Sequence, residues 1–305
     1  MRIVIHGQQA FGKAVFDALL ERGEEIVAVY VAPEKEGRPA DPLKEAALAR
    51  DLPVHQPASF KKPEVWETFR ALEPDLCVMA FVTLIVPEEF LNIPSMGSIQ
   101  YHPSLLPHHR GPSSINWPII QGETRTGLSI FWPDNGLDTG PILLQKELAI
   151  AEEDTLGSLY FDRLFPLGVE AVLEAVDLVK GGNAPKIAQD ESQASYEGWC
   201  TAEDVAIDWR RPAPEIHNLI RGSDPQPGAW TTLKAERLRL YGATRITGPA
   251  EAPPGTVTAI GGDGLTIAAS DGAIRAAKLR PARGKKLAAA AFAAQSGLTV
   301  GTVLG

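Results

Sequence analysis

The chain has 305 residues, 44% hydrophobic and 22% charged, with a net charge of −9. This is the composition of a folded globular protein of one large or two ordinary domains, and it excludes a disordered tail protein, a coiled coil or a collagen-like fibre. Two cysteines, Cys77 and Cys200, are too few for a disulfide framework and lack zinc-site spacing, so a reducing, cytoplasmic setting is expected.

Met1-Arg2-Ile3-Val4-Ile5-His6-Gly7 holds an apolar run too short for an export signal and reads as a first strand. Ala14, Val15, Ala18 and Leu19 then recur at helical spacing up to Gly23, and residues 26–31 form a second apolar run. Strand, helix, strand is the unit of a parallel sheet. The intervening Gly7-Gln8-Gln9-Ala10-Phe11-Gly12-Lys13-Ala14 misses a phosphate-binding loop at Ala14, which has no hydroxyl for a magnesium ion. Its glycine spacing is not that of a dinucleotide loop either, so a plain tight turn is expected. Helices near residues 42–50 and 63–72, a buried strand at 76–81 and a strand at 97–102, stopped by Pro103, continue the alternation.

These elements predict a doubly wound α/β domain over residues 1–190 and a polar, aperiodic linker over 191–205. A helix near 214–221 follows. Short runs at 229–233, 237–241, 255–260, 265–269 and 273–279, separated by glycine turns, then predict a small antiparallel β-barrel over 206–305. Charge divides in the same way: residues 1–205 hold 16 Lys and Arg against 31 Asp and Glu, and residues 206–305 hold 13 against 7. An acidic body repels polyanions and a basic remainder attracts them. The uncharged run at 287–305 is Ala, Gly, Thr and Ser, so no membrane span is expected.

Polar chemistry concentrates in Gly97-Ser98-Ile99-Gln100-Tyr101-His102-Pro103-Ser104-Leu105-Leu106-Pro107-His108-His109-Arg110-Gly111. Residues i and i+2 of a strand share a face, so Gln100 and His102 should point together, at the strand end where open α/β sheets place ligands. An amide that donates and an imidazole that exchanges a proton suit a developing oxyanion. In Pro133-Asp134-Asn135-Gly136-Leu137-Asp138-Thr139-Gly140, Asp138 lies between glycine turns and could form an acid/base dyad with His102, whereas Asp134 belongs to a turn. Ser104 lacks a nucleophile-elbow context, and His102, His108 and His109 lack a metal-ligand spacing, so no metal is expected.

Several segments resemble the folate-dependent formyltransferase family: Gly7 to Gly12, Ala40-Asp41-Pro42-Leu43, His102-Pro103-Ser104-Leu105-Leu106-Pro107, Ile115-Asn116-Trp117, Gly136-Leu137-Asp138-Thr139-Gly140, Tyr196-Glu197-Gly198, Ile216-His217-Asn218 and Pro227-Gly228-Ala229-Trp230. The likeness is closest to the N-terminal hydrolase domain of 10-formyltetrahydrofolate dehydrogenase, with methionyl-tRNA formyltransferase more distant. It implies a Rossmann-like formyltransferase domain followed by a small OB-like β-barrel, with 10-formyltetrahydrofolate as formyl donor. It also implies a catalytic His102 and Asp138, and a pterin held by the backbone of Leu84, Ile85 and Val86 with Phe81 and Leu105 as apolar walls and Asp138 as a further folate contact.

Gln100 departs from that resemblance, because formyltransferases of the family carry asparagine there and the hydrolase domain an apolar residue. Glutamine keeps the carboxamide but places it one methylene further out. Three functions are weighed: transfer of the formyl group to water or a small amine, formylation of methionyl-tRNA, and folate binding without catalysis. The loop Pro33-Glu34-Lys35-Glu36-Gly37-Arg38-Pro39-Ala40-Asp41 is short and near neutral, which disfavours a tRNA partner. The basic 206–305 region favours one. A small-molecule folate is the expected ligand, and the sequence says nothing about oligomeric state.

Overall fold

The computed structural model describes residues 1–34, 37, 39–249 and 252–305. Lys35, Glu36 and Arg38 of the loop weighed for tRNA binding lie outside the described residues. Residues group into two compact units: 1–111, 127–147 and 163–196 in the first, 112–126, 148–162 and 197–305 in the second.

The first unit is built on strands β1 (Arg2–Gly7), β2 (Glu25–Tyr30), β3 (Val54–His55), β4 (Leu76–Ala80), β5 (Ser98–His102), β6 (Arg125–Phe131) and β7 (Ile142–Ala149), in the order β3-β2-β1-β4-β5-β6-β7. Pairing is parallel from β3 through β5, and β6 runs antiparallel to β5. Helices α1 (Gln9–Glu21), α2 (Pro42–Leu48), α3 (Pro63–Arg70) and α4 (Glu88–Leu91) connect the parallel strands.

Alternation assigns each residue a face. Val4, Ala28, Tyr30, Cys77 and Met79 pack with Phe60, with Phe69 of α3 and with Phe90 and Leu91 of α4. On the opposite face Tyr101 of β5 meets Phe11 of α1, ring centroids 4.3 Å apart. The buried residues Phe11, Val15, Phe16 and Leu19 give α1 its helical stripe.

The turn from β1 into α1 is set by steric demand. A Cβ on Gly7 would overlap the carbonyl oxygen of Ala80, so only glycine permits β1 to pass β4 there. Asp41 explains the Ala-Asp-Pro-Leu motif: Oδ1 accepts from Leu43 N at 2.9 Å and caps α2, while Oδ2 accepts from Gln9 N at 2.8 Å. The Gly7 to Ala14 segment is the tight turn that the sequence predicts.

The second unit contains α5 (Asn116–Ile120), α6 (Leu156–Ser158) and α8 (Ala213–Gly222). It also holds β8 (Trp230–Leu233), β9 (Glu236–Thr247), β10 (Val257–Gly261), β11 (Gly264–Ala268), β12 (Gly272–Pro281), β13 (Leu287–Ala288) and α9 (Ala289–Ser296). Its sheet runs β10-β11-β12-β9-β8, with β13 added to β12. Trp209, Ile216, Leu238, Leu240, Leu265, Ile267, Ile274 and Phe292 are part of its core. The end strands β10 and β8 do not pair among the described residues, so the expected closed barrel is seen as an open antiparallel sheet. The uncharged tail is partly helical, as α9, and no described helix is long and apolar enough to cross a membrane.

No helix is predicted from the sequence for α4, α5, α6 or α9, nor for the longest, α7 (Phe165–Lys180) of the first unit, which buries Gly168, Ala171, Val172, Ala175, Val176 and Val179. Its buried residues recur at helical spacing opposite the exposed Glu170, Glu174, Asp177 and Lys180, so the amphipathic pattern is present in the sequence. His55 lies in β3 and stacks on Tyr30 with ring centroids 4.7 Å apart.

Candidate active site

Register places Gln100 beside Met79 on β4 and Phe131 on β6, and His102 beside Ser129. Paired residues share a face, so Gln100 and His102 both lie on the face that carries Met79, at the C-terminal end of β5. Gln100 is half-buried and its carboxamide makes no hydrogen bond among the described residues.

After His102 the chain folds back sharply. Ser104 N donates to His102 O at 2.9 Å and Ser104 Oγ to His108 O at 2.7 Å. Ser129 Oγ donates to Ser104 O at 2.7 Å and accepts from Leu106 N at 3.0 Å. Ser104 is fully buried and its hydroxyl donates to the His108 carbonyl. The turn brings the carbonyl of His109 to 2.9 Å from Nε2 of His102. A carbonyl only accepts, so this bond puts the proton on Nε2 and leaves Nδ1 as the ring nitrogen free to gain or give a proton.

Nδ1 faces a carboxylate, with Asp138 Oδ2 3.7 Å away. The same oxygen accepts from Gly111 N at 2.9 Å. His102 is 5% exposed and Asp138 7%. Asp138 has φ +57°, left-handed backbone that a non-glycine residue adopts only when held. A Cβ on the nearby Gly140 would overlap the carbonyl oxygen of Trp132, so the second glycine of the motif allows the loop to close on β6. Asp134 is the turn residue that its context predicts, with Oδ1 accepting from Gly136 N at 3.0 Å and Thr139 Oγ1 at 2.7 Å.

The residues expected to hold the pterin by their backbone, Leu84, Ile85 and Val86, and those expected as its apolar walls, Phe81 and Leu105, differ in exposure. Val86 is buried in the core beside Phe90 and Leu84 packs against that core, whereas Phe81 and Ile85 are 47% and 83% exposed. Phe81 also has a left-handed backbone, φ +65°, immediately after β4. Leu105 is half-buried and lies so close over Gly127 that a Cβ there would sit 2.6 Å from its Cδ2. Two surface cavities, of about 310 and 390 Å³, lie elsewhere. Their lining residues Asp75, Ser95 and Gly97 precede β4 and β5, at the strand ends away from His102.

Sequence reading missed the support around the pair. Arg110, buried, donates from Nη1 and Nη2 to Glu191 at 3.0 and 2.7 Å, and from Nε and Nη2 to Gln189 Oε1 at 3.2 and 2.8 Å. The hydrogen bond to Glu191 holds the guanidinium pKa above its ordinary value and the Glu191 carboxyl below the usual carboxylate range. Nothing local in Gln189-Asp190-Glu191-Ser192-Gln193-Ala194-Ser195 signals such contacts, because their partners are about 50 to 90 positions away in the chain. Among the described residues there is no group of three or more His, Cys, Asp or Glu that could hold a metal ion.

Residues 1–176 match the family described as formyl transferase, and residues 200–297 match its formyl transferase, C-terminal domain. The chain is 43% identical over 256 residues to the cytosolic 10-formyltetrahydrofolate dehydrogenase of Xenopus tropicalis, a match that covers 82% of this chain and 28% of that protein. It thus spans under a third of the dehydrogenases it resembles. It is 41% identical over 308 residues to the methionyl-tRNA formyltransferase of Trichlorobacter lovleyi, covering 99% of this chain and 96% of that one. Among solved structures, HypX from Aquifex aeolicus in complex with tetrahydrofolic acid shares the fold with a TM-score of 0.70 at 22% identity, over 97% of this chain and 47% of that one. The sugar 3N-formyltransferase WlaRD has a TM-score of 0.70 at 18% identity, over 93% and 99% of the two chains.

Proposed function

Because the chain belongs to the formyl transferase family, we propose that it takes the formyl group from 10-formyltetrahydrofolate, the donor this family uses, and passes it to water or to a small amine. The observation that carries this is the approach of His102 Nδ1 to Asp138 Oδ2, 3.7 Å, at the strand end that also presents Gln100.

In this reading Asp138 orients the attacking oxygen or nitrogen and takes its proton. His102 delivers a proton from Nδ1 to the departing folate nitrogen, since Nε2 is engaged by the His109 carbonyl. Gln100, whose carboxamide has no partner among the described residues, donates to the formyl oxygen as negative charge develops there. The bond formed joins the acceptor to the formyl carbon, and the bond broken joins that carbon to the folate nitrogen. The products are formate or a formamide, and tetrahydrofolate. Phe81, Leu84, Ile85, Val86 and Leu105 would border the folate ring, where the exposed faces of Phe81 and Ile85 leave apolar surface to cover.

A cytoplasmic location belongs to the same proposal, supported by the free thiols of Cys77 and Cys200. So does an OB-like curl of the C-terminal sheet, supported by the pairing of β12 with β11, β9 and β13.

Methionyl-tRNA is the second acceptor to weigh, favoured by the end-to-end match with a methionyl-tRNA formyltransferase and by the basic 206–305 region. The acidic remainder of the chain weighs against it. One assay separates the readings: the protein is incubated with 10-formyltetrahydrofolate alone, with small amines, or with methionyl-tRNA. Formate, or a formamide on a small amine, supports the first, and formylated methionyl-tRNA the second. If the donor is left unconsumed in every arm, both are rejected.

A further inference from the structure

Asp138 and His109 share an unusual property: each has a left-handed backbone, φ +57° and +54°, without being glycine. Such residues persist where their surroundings over-determine them. Both are held by one stretch of chain, residues 189–195, which contains the short turn Glu191–Gln193 and lies in the same compact unit.

Gln189 Nε2 donates to the carbonyls of Asp138 at 2.9 Å and Gly140 at 2.7 Å, and so pins the loop that carries the carboxylate. Ser195 Oγ accepts from His109 N at 2.8 Å. The Ser195 backbone adds two bonds, accepting from Arg110 N at 3.0 Å and donating to Pro107 O at 3.1 Å. The His109 carbonyl is in turn the acceptor for His102 Nε2. Asp138 is thus held directly by this segment, through its own carbonyl, and His102 at one remove, through His109.

The Gln189 amide has one allowed orientation. Arg110 can only donate, so the glutamine oxygen must face it, and the NH₂ must face the two carbonyls. Glu191 grips Arg110 in a two-pronged pair that keeps the guanidinium in place. All these contacts involve backbone or side-chain atoms behind the reacting groups.

We propose that residues 189–195 are a positioning element of the active site, with Gln189 setting Asp138 and Ser195 setting His102 through His109. The proposal rests on the reading of His102 and Asp138 as the reacting pair.

The test uses Gln189→Glu, which keeps the size but turns an oxygen toward two carbonyls, with Gln189→Met and Ser195→Ala as milder variants. In 10-formyltetrahydrofolate consumption, kcat is expected to fall about 10- to 100-fold in the Gln189 variants while KM stays within about threefold, the mark of a displaced rather than a missing group. Ser195→Ala, which removes one hydrogen bond, should fall less in the same direction. The pH dependence of kcat should move with it. A residue with a merely structural role would lower the melting temperature and leave kcat, KM and pH profile of the folded protein unchanged, and that result would overturn the proposal.

An NMR titration of the His102 ring nitrogens in the substrate-free protein gives a readout independent of turnover. A His102 titration equal to wild type in both Gln189→Met and Ser195→Ala overturns the positioning role whatever the activity. A shifted titration in these variants, with a wild-type protein that consumes no donor, supports positioning and rejects only the proposed reaction.

Discussion

The oxygen Oδ2 of Asp138 lies 3.7 Å from Nδ1 of His102, although the two residues are 36 positions apart in the chain. One end of the imidazole is anchored to a backbone carbonyl and the other opens onto the carboxylate. That arrangement leaves a single ring nitrogen to carry the mobile proton.

Replacing either partner should remove proton transfer while sparing ligand binding. His102→Ala and Asp138→Asn are expected to lower kcat for consumption of 10-formyltetrahydrofolate by about 10² to 10⁴. Their affinity for tetrahydrofolate, read by fluorescence titration, should change only a few fold. Normal turnover in both variants would refute the assigned roles.

The Gln100 carboxamide makes no hydrogen bond among the described residues and lies on the same strand face as His102. If it donates to the forming oxyanion, Gln100→Leu should cost about 10²-fold or more in kcat. Gln100→Asn tests reach, because it keeps the donor and draws it back by one methylene. Activity in Gln100→Asn from a protein that otherwise has none would identify the native chain as a folate-binding protein without catalysis.

His6 predicts an acid-sensitive fold. It is 4% exposed, lies against Phe60 with ring centroids 4.7 Å apart, and its Nδ1 has no hydrogen-bond partner among the described residues. Burial pushes its pKa down to about 3 from 6.5. The unfolded chain therefore binds a proton that the folded chain refuses: the contribution is complete above pH 6.5 and is lost as pH falls toward 3. Between pH 7 and pH 5 the loss from this residue is about 2 kcal/mol. Urea unfolding at the two pH values, compared in wild type and His6→Leu, measures it, and an equal pH loss in both proteins would dismiss the assignment.

Asp41 holds two backbone N–H groups, those of Leu43 and Gln9. Asp41→Ala should destabilise the fold by about 1 to 2 kcal/mol through loss of the cap. Asp41→Asn should recover part of that, since its amide oxygen can accept one of the two bonds. The urea midpoint of each variant measures the effect, and a midpoint unchanged in Asp41→Ala would show that neither bond matters.

The parallel α/β architecture and the shared face of Gln100 and His102 were legible in the sequence, because both follow from short-range periodicity. A strand alternates every two residues wherever it sits, and apolar runs separated by amphipathic helices build a parallel sheet. The helix Phe165–Lys180 went unread although its buried residues recur at helical spacing opposite exposed charges, and among the described residues the barrel expected from short strands is an open sheet, because local spacing does not specify closure. The pairing of His102 with Asp138 is anticipated from the sequence, but its 3.7 Å approach, the single orientation of the Gln189 amide and the capture of His109 by Ser195 came only with the tertiary structure. Each joins groups far apart in sequence, and whether a hydrogen bond forms between them depends on how intervening turns are packed, which no local residue pattern encodes.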